Sequence, residues 1–378
     1  MRKNGRITAY IDMAAIAENF ENMKKNIKEG VQMVAVVKTD GYGHGAVPIA
    51  KMAEQFEYIW GFAVATFSEA MDLRNSGIQK PILILGYTFQ EDYVEMAKNG
   101  IRPAIFTYEM AKDFSDAAKK AGICAPFHLA VDTGMSRIGV PWGEVGIETA
   151  LKISMLSHIK MEGVFTHFSK ADEIEKEFTK CQMDRFQDFC SNLYEKGETG
   201  FLRHCSNSAG ILEIPEANMD LVRAGISIYG IYPSSEVSRS YVELHPAMEL
   251  KSHVVYLKTI EPGTMVSYGG TFTAAHKMKI ATIPVGYGDG YPRSLSGKGS
   301  VLIRGKRAPI LGRICMDQFM VDITGMDVQM LDEVTLLGRD GEEEITLEEL
   351  DKLSGRFPYE FVCDIGKRVP RVYVNEKN

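Results

Sequence analysis

Between about residue 30 and residue 230, eight short apolar runs alternate with longer amphipathic stretches, and this rhythm constrains the fold more than any other feature of the chain. The runs are VQMVAVV, YIWGFAVA, PILILG, IRPAIF, FHLAVD, MEGVFTHF, FLRHCS and MDLVRAGI. Short, nearly continuous apolar runs read as strands buried on both faces, the signature of a parallel sheet. Intervening segments such as AVPIAKMAEQF, TFSEAMDLRNSG, YEMAKDFSDAAKKAG and EKEFTKCQMDRFQDFCSNLYEKG are long enough for crossover helices. A βα unit counted eight times fits a closed (β/α)8 TIM-type barrel better than an open doubly wound sheet.

After about residue 240 the texture changes to Gly-punctuated, period-two segments: SHVVYLKTI, MKIATIPVGY, SVLIRG, FMVDI and DEVTLLGRDG. TLEELDKLSG is the one convincing helix there. The chain is therefore expected to hold a barrel over 12–238 and a C-terminal mostly-β domain over 239–378. RITAYIDMAAI reads as a strand followed by a helix, so residues 1–11 are expected to pair with the β domain. The 378 residues suffice for two domains.

Charge and cysteine usage narrow the function classes. Lys plus Arg number 43 against 50 for Asp plus Glu, a net charge of −7 without long like-charged runs. Such a chain lacks the basic surface that phosphate neutralisation demands, so no nucleic-acid partner is expected. Six cysteines are scattered with no C-x-x-C pair, which reads as reduced thiols and a cytoplasmic location. No apolar stretch approaches a membrane span, and Asp12 and Glu18 interrupt any signal-peptide core, so no membrane association is expected.

The densest unusual stretch is AVVKTDGYGHG, residues 35–45. It places Lys38 at the carboxyl end of a strand, the face on which barrels build active sites, followed by a Gly-rich turn with Tyr42 that suits backbone approach to an anion. His44 and the His204–Cys205 pair lack ligand spacing with further His or carboxylates, so no metal site is expected.

Eight blocks extend this signal in a fixed order: KTDGYGHG, DTGMSRIG (132–139), THFSKADE (166–173), HCSNSAG (204–210), LVRAGISIYGIYPS (221–234), VSYGGTFTA (266–274), GRICMDQ (312–318) and RVPR (368–371). Together they resemble the alanine racemase family, across both expected domains. The resemblance implies pyridoxal 5′-phosphate as cofactor, an electron sink for a carbanion, carried by Lys38 as a Schiff base. It implies two bases on opposite faces of the substrate Cα, Lys38 and Tyr268. Tyrosines ordinarily titrate near about 10, so such a base needs cationic or hydrogen-bonding neighbours, for which His167, His204 and Arg223 match the family positions.

By the same resemblance Arg223 faces the cofactor's pyridine nitrogen. A guanidinium does not readily give up a proton, which leaves the carbanion less delocalised than in aminotransferases. Tyr42, Asn207, Ser208, the backbone of Gly225 and Ile226, and Tyr359 match the cofactor anchors. Arg137 and the backbone of Met316 match the substrate-carboxylate contacts, Asp317 is a supporting residue, and Tyr287, Asp172, Arg293 and Arg313 match an entrance corridor. One departure is Ala130, where the family commonly has a lysine, often carbamylated, that holds the arginine matched by Arg137. An anion such as chloride is the expected replacement.

The function so implied is interconversion of L- and D-alanine, supplying D-alanine for cell-wall peptidoglycan, by a homodimer with shared active sites. The alternative is a serine or broader-specificity racemase of the same fold. A tyrosine at 359 beside the substrate methyl favours alanine. A cofactor carrier would need no second base, and a decarboxylase would cleave the carboxylate rather than hold it.

Overall fold

The computed structural model describes residues 5–376, so residues 1–4 of the N-terminal segment expected to join the β domain lie outside the described residues. The chain divides into two compact units. One comprises Ala15–Gly41 and Gly45–His245; the other takes in, of the described residues, 5–14, Tyr42–His44 and 246–376.

The first unit is the barrel. Eight parallel strands follow one another as Gln32–Val36, Ile59–Val64, Ile82–Ile84, Ile101–Ile105, Ala125–Asp132, Ile159–Phe165, Leu202–His204 and Leu221–Ala224. The last of these pairs back onto the first, with Val222 opposite Met33. At the remaining seam the Asp220 N–H donates to the Arg203 carbonyl at 3.1 Å and the Arg223 N–H to that of Ser206 at 3.0 Å. All eight apolar runs thus become barrel strands. Their interior positions, such as Val34, Phe62, Leu83, Ala104, Leu129 and Val164, are fully buried, because helices cover the outside of the sheet and side chains fill the inside.

The crossover helices show how local sequence sets their limits. Thr107 caps the helix Tyr108–Ala121 by accepting from the Met110 N–H, and Gly122 ends it in the left-handed region at φ 72°. Met110, Ala111, Phe114, Ala117 and Ala118 recur at three- and four-residue spacing and form its buried face. Removing the Thr107 hydroxyl would cost about 1 kcal/mol, and truncating Phe114 to alanine about 3–5 kcal/mol. The helix after Leu202–His204 is much shorter, Ser208–Glu213, with Asn207 as its cap and Pro215 just beyond its end.

The second unit is built on a mixed sheet. Its strands run in the order Tyr256–Ile260, Met278–Ile283, Phe319–Asp322, Lys306–Leu311, Ser300–Ile303, Glu333–Asp340, Met248–His253, Ile7–Asp12 and Arg371–Val374. Ile7–Asp12 lies antiparallel to Met248–His253, with Ala9 opposite Leu250, and parallel to Arg371–Val374. The sequence reading is corrected on one point: besides Leu347–Ser354, a second helix spans Pro358–Cys363. Six residues are too few for a 3.6-residue period to stand out, and Pro358 at the first turn reads as a loop signal although it suits that position.

Tyr42–His44 packs as part of this unit. Gly43 has φ 79°, and a Cβ there would lie 2.0 Å from the Val362 carbonyl oxygen, so only glycine fits. The Gly43 carbonyl in turn accepts from Arg371 Nε at 2.9 Å.

Candidate active site

Lys38 follows the strand Gln32–Val36 by two residues and opens a turn of unusual backbone. Thr39, Asp40, Gly41 and Tyr42 all have positive φ, between 50° and 61°. For the three non-glycine residues this costs on the order of 1 kcal/mol each, strain of a kind that clusters at functional sites. Hydrogen bonds hold the turn in place. Gly41 N–H donates to Val37 at 2.8 Å, Thr39 N–H to the Glu69 carboxylate at 2.5 Å, and Ala46 N–H to the Asp40 carboxylate at 2.9 Å.

The turn borders a cavity of about 280 Å³ inside the barrel unit, at the carboxyl ends of the strands. Its polar and charged lining is Lys38, Arg137, Thr166, His167 and Arg223, with Ala65, Leu85, Ala130 and Phe165 among the apolar walls. Among the described residues no carboxylate lines it, and the side chains of Lys38, Arg137 and Arg223 converge there. That donor set suits a ligand carrying phosphate and carboxylate groups.

Arg223 is 3% exposed. Nη1 donates to His204 Nδ1 at 3.0 Å and to the His204 carbonyl at 2.8 Å; Nη2 donates to the Thr166 carbonyl at 2.7 Å, the Cys205 carbonyl at 3.2 Å and His167 Nδ1 at 3.3 Å. These acceptors are carbonyls and imidazoles rather than a carboxylate, which rules out a buried salt bridge as the reason for this arginine. Burial lowers its pKa to about 10, so it stays charged at neutral pH. Its guanidinium also lies 5.5 Å from the Phe165 ring centroid.

His167 is neutral over the physiological range. Burial, then the charges of Arg223, Arg137 and Lys38, lower its pKa to about 3. Because a guanidinium can only donate, His167 Nδ1 must accept and Nε2 carries the proton.

A second cluster in the barrel unit joins the short helix Ser208–Glu213 to the turn after Leu221–Ala224. Ser208 Oγ accepts from the N–H groups of Gly225 at 3.0 Å and Ser227 at 3.4 Å, which occupies both lone pairs and leaves its proton to donate. Asn207 Oδ1 accepts from the Gly210 N–H at 3.0 Å, and Ile226 is buried. Arg137 projects from a loop fixed by two caps. Asp132 accepts from Gly134 at 2.9 Å and Ser136 at 3.0 Å, while Arg185 donates to the Thr133 carbonyl at 2.8 Å.

The remaining motif residues belong to the other unit. The rings of Tyr42 and Tyr359 meet edge to face at 6.2 Å, and Tyr359 stacks on Phe357 at 4.5 Å. Tyr268 is 70% exposed in a tight turn behind Ser267, whose hydroxyl donates to the Arg313 carbonyl. Met316 is half-exposed; its carbonyl accepts from Gly288 at 2.9 Å, and Asp317 pairs with Arg368 at 2.8 Å.

Sequence reading missed His128, Glu162 and Arg102, which continue the hydrogen bonding behind His204. The available signal was polarity on strands otherwise apolar: His128 in FHLAVD and Glu162 in MEGVF.

A lysine- and arginine-lined pocket on the carboxyl face of a parallel barrel, in a chain that adds a tyrosine-bearing β unit, defines an enzyme of the two-domain amino-acid racemase class. The family model "Alanine racemase, N-terminal domain" matches residues 11–233, and "Alanine racemase, C-terminal domain" matches residues 247–373. The chain belongs to the alanine racemase family. It is 43% identical over 369 residues to the alanine racemase of Desulforamulus reducens, an alignment covering 97% of this chain and 99% of that one. The alanine racemase of Clostridium difficile 630 superposes with a TM-score of 0.94 at 40% identity, over 99% of this chain and 97% of that one. The histidine racemase of Leuconostoc mesenteroides subsp. sake shares the architecture at 28% identity, with a TM-score of 0.91 over 99% of each chain.

Proposed function

We propose that this enzyme interconverts L- and D-alanine with pyridoxal 5′-phosphate, and that the cavity lined by Lys38, Arg137 and Arg223 is the cofactor and substrate site. That donor set is the observation that carries the reading. Ser208, Asn207 and the turn at Gly225 and Ile226, with Tyr42 and Tyr359, are the proposed phosphate anchors.

When bound, the cofactor supplies the electron sink that allows a Cα proton to leave. Lys38 Nζ would hold the cofactor and would serve as the base on one face of the substrate Cα. Tyr268 Oη would be the base on the other. His167 offers its Nε2–H as a donor and His204 helps to orient Arg223. Arg223 would face the cofactor as a donor that does not surrender its proton, which leaves proton traffic to the two bases. Arg137 and the Met316 backbone hold the substrate carboxylate, with Asp317 supporting that loop through Arg368. An anion beside Arg137 takes the space left at Ala130.

We further propose a cytoplasmic homodimer in which the partner copy covers the exposed Tyr268 and Met316, with D-alanine going to peptidoglycan. Among the described residues no helix is long and apolar enough to cross a membrane. Comparing turnover of L-alanine, L-serine and L-histidine tests the substrate, and faster turnover of serine or histidine would replace alanine.

A further inference from the structure

The hydrogen bonding behind Arg223 does not stop at His204. His204 Nε2 lies 2.8 Å from His128 Nδ1, His128 Nε2 lies 3.3 Å from Glu162 Oε2, and Glu162 is gripped by Arg102 through Nε at 2.9 Å and Nη2 at 3.1 Å. We propose that Glu162, His128 and His204 form a one-way relay that orients and electrostatically anchors Arg223, making Glu162 and His128 positioning residues for the proposed cofactor site.

The direction of every bond follows from the one before it. A guanidinium has no acceptor, so Arg223 donates to His204 Nδ1. His204 therefore carries its proton on Nε2 and donates to His128 Nδ1. His128 in turn carries its proton on Nε2 and donates to the Glu162 carboxylate. No member can be flipped or protonated without setting two donors against each other at hydrogen-bond distance.

The charges agree with this order. Burial lowers the pKa of both His128 and His204, which keeps both rings neutral. Burial raises that of Glu162, but hydrogen bonds from His128 and Arg102 outweigh it and hold the carboxyl at about 2. A fixed carboxylate thus polarises two neutral imidazoles in series and strengthens the lone pair that Arg223 meets.

The surroundings leave the relay little room to rearrange. The Phe165 ring stacks on His204 at 5.1 Å, and Trp60 lies 5.3 Å from the His128 ring. A Cβ at residue 163 would stand 2.5 Å from His128 Nδ1, so Gly163 is what allows the ring to sit there.

The proposal rests on the racemase reading only for what Arg223 faces; the relay itself is testable without cofactor. Imidazole ¹⁵N spectra of the cofactor-free protein should show His128 and His204 both as Nε2–H tautomers that do not titrate between about pH 5 and 8. An Nδ1–H tautomer or a protonated ring at either position would overturn the relay. In the loaded enzyme, Glu162→Gln keeps the shape and removes the charge. It should lower kcat about tenfold or more with little change in KM and shift the pH dependence of the bound cofactor's visible absorption, with Glu162→Asp recovering part of both. Unchanged kcat and spectrum in Glu162→Gln, alongside an active parent enzyme, would refute the positioning role and leave the racemase reading standing. An inactive parent with the expected tautomers would refute the racemase reading and leave the relay.

Discussion

His167 Nδ1 sits 3.3 Å from Arg223 Nη2 inside a cavity that also holds Lys38 and Arg137, so a normally titratable ring is kept neutral by burial and by three cations. Its pKa falls to about 3 from an unfolded value near 6.5. The unfolded chain therefore binds the proton that the native protein refuses, and this site reduces stability as pH falls through that window. His167→Gln should flatten the loss of thermal stability between about pH 6.5 and 3, with neutral-pH stability changing less. Thermal melts across pH would show it, and an unaltered slope would mean that His167 titrates normally.

The two-base reading separates chemically. Borohydride treatment of the loaded enzyme should label Lys38 and no other lysine. Tyr268→Phe should retain the visible absorption of bound cofactor yet lose racemisation by about 10²–10⁴-fold, the range for removing one acid–base group. Equal, undiminished rates in both directions would exclude Tyr268 as a base.

Ala130 and Arg137 line one cavity, and a methyl cannot balance a guanidinium. Activity is expected to depend on chloride or a similar small anion, with KM for alanine rising when the anion is dialysed away. Ala130→Glu, which would bring a carboxylate to the wall, should abolish that dependence. A KM indifferent to anion in the parent enzyme would show that water or another side chain serves instead.

Gly43 approaches the Val362 carbonyl more closely than any Cβ permits. Gly43→Ala should destabilise by about 2–4 kcal/mol, combining a positive φ with a backbone clash, and should lower the melting temperature of the second unit by several degrees. An unshifted melt would show that the Tyr42–His44 segment is not packed as described.

Much of the barrel was legible because burial on both faces leaves a pattern that survives in one dimension. Most of its eight strands are rich in Val, Ile, Leu, Phe and Ala between amphipathic stretches, and Leu202–His204 is among the shortest of these signals. The helix Pro358–Cys363 was not legible, since one and a half turns carry no period and proline at the first turn looks like a break. Of the site, Lys38 stood out by its place at a strand end, and Arg223 by a charge set within LVRAGI. His128 and Glu162 did not, because a lone polar residue on a strand has no visible partner until the strands are laid side by side.

The order of apolar runs, the turn glycines and the motif residues were determined by the sequence alone, because backbone period and side-chain chemistry are local properties. Which charges meet was decided only by tertiary structure. Residues 102, 128, 162, 204 and 223 come from five different strands, and parallel pairing around the barrel brings them within hydrogen-bond reach, in an interior dry enough to hold both relay histidines neutral.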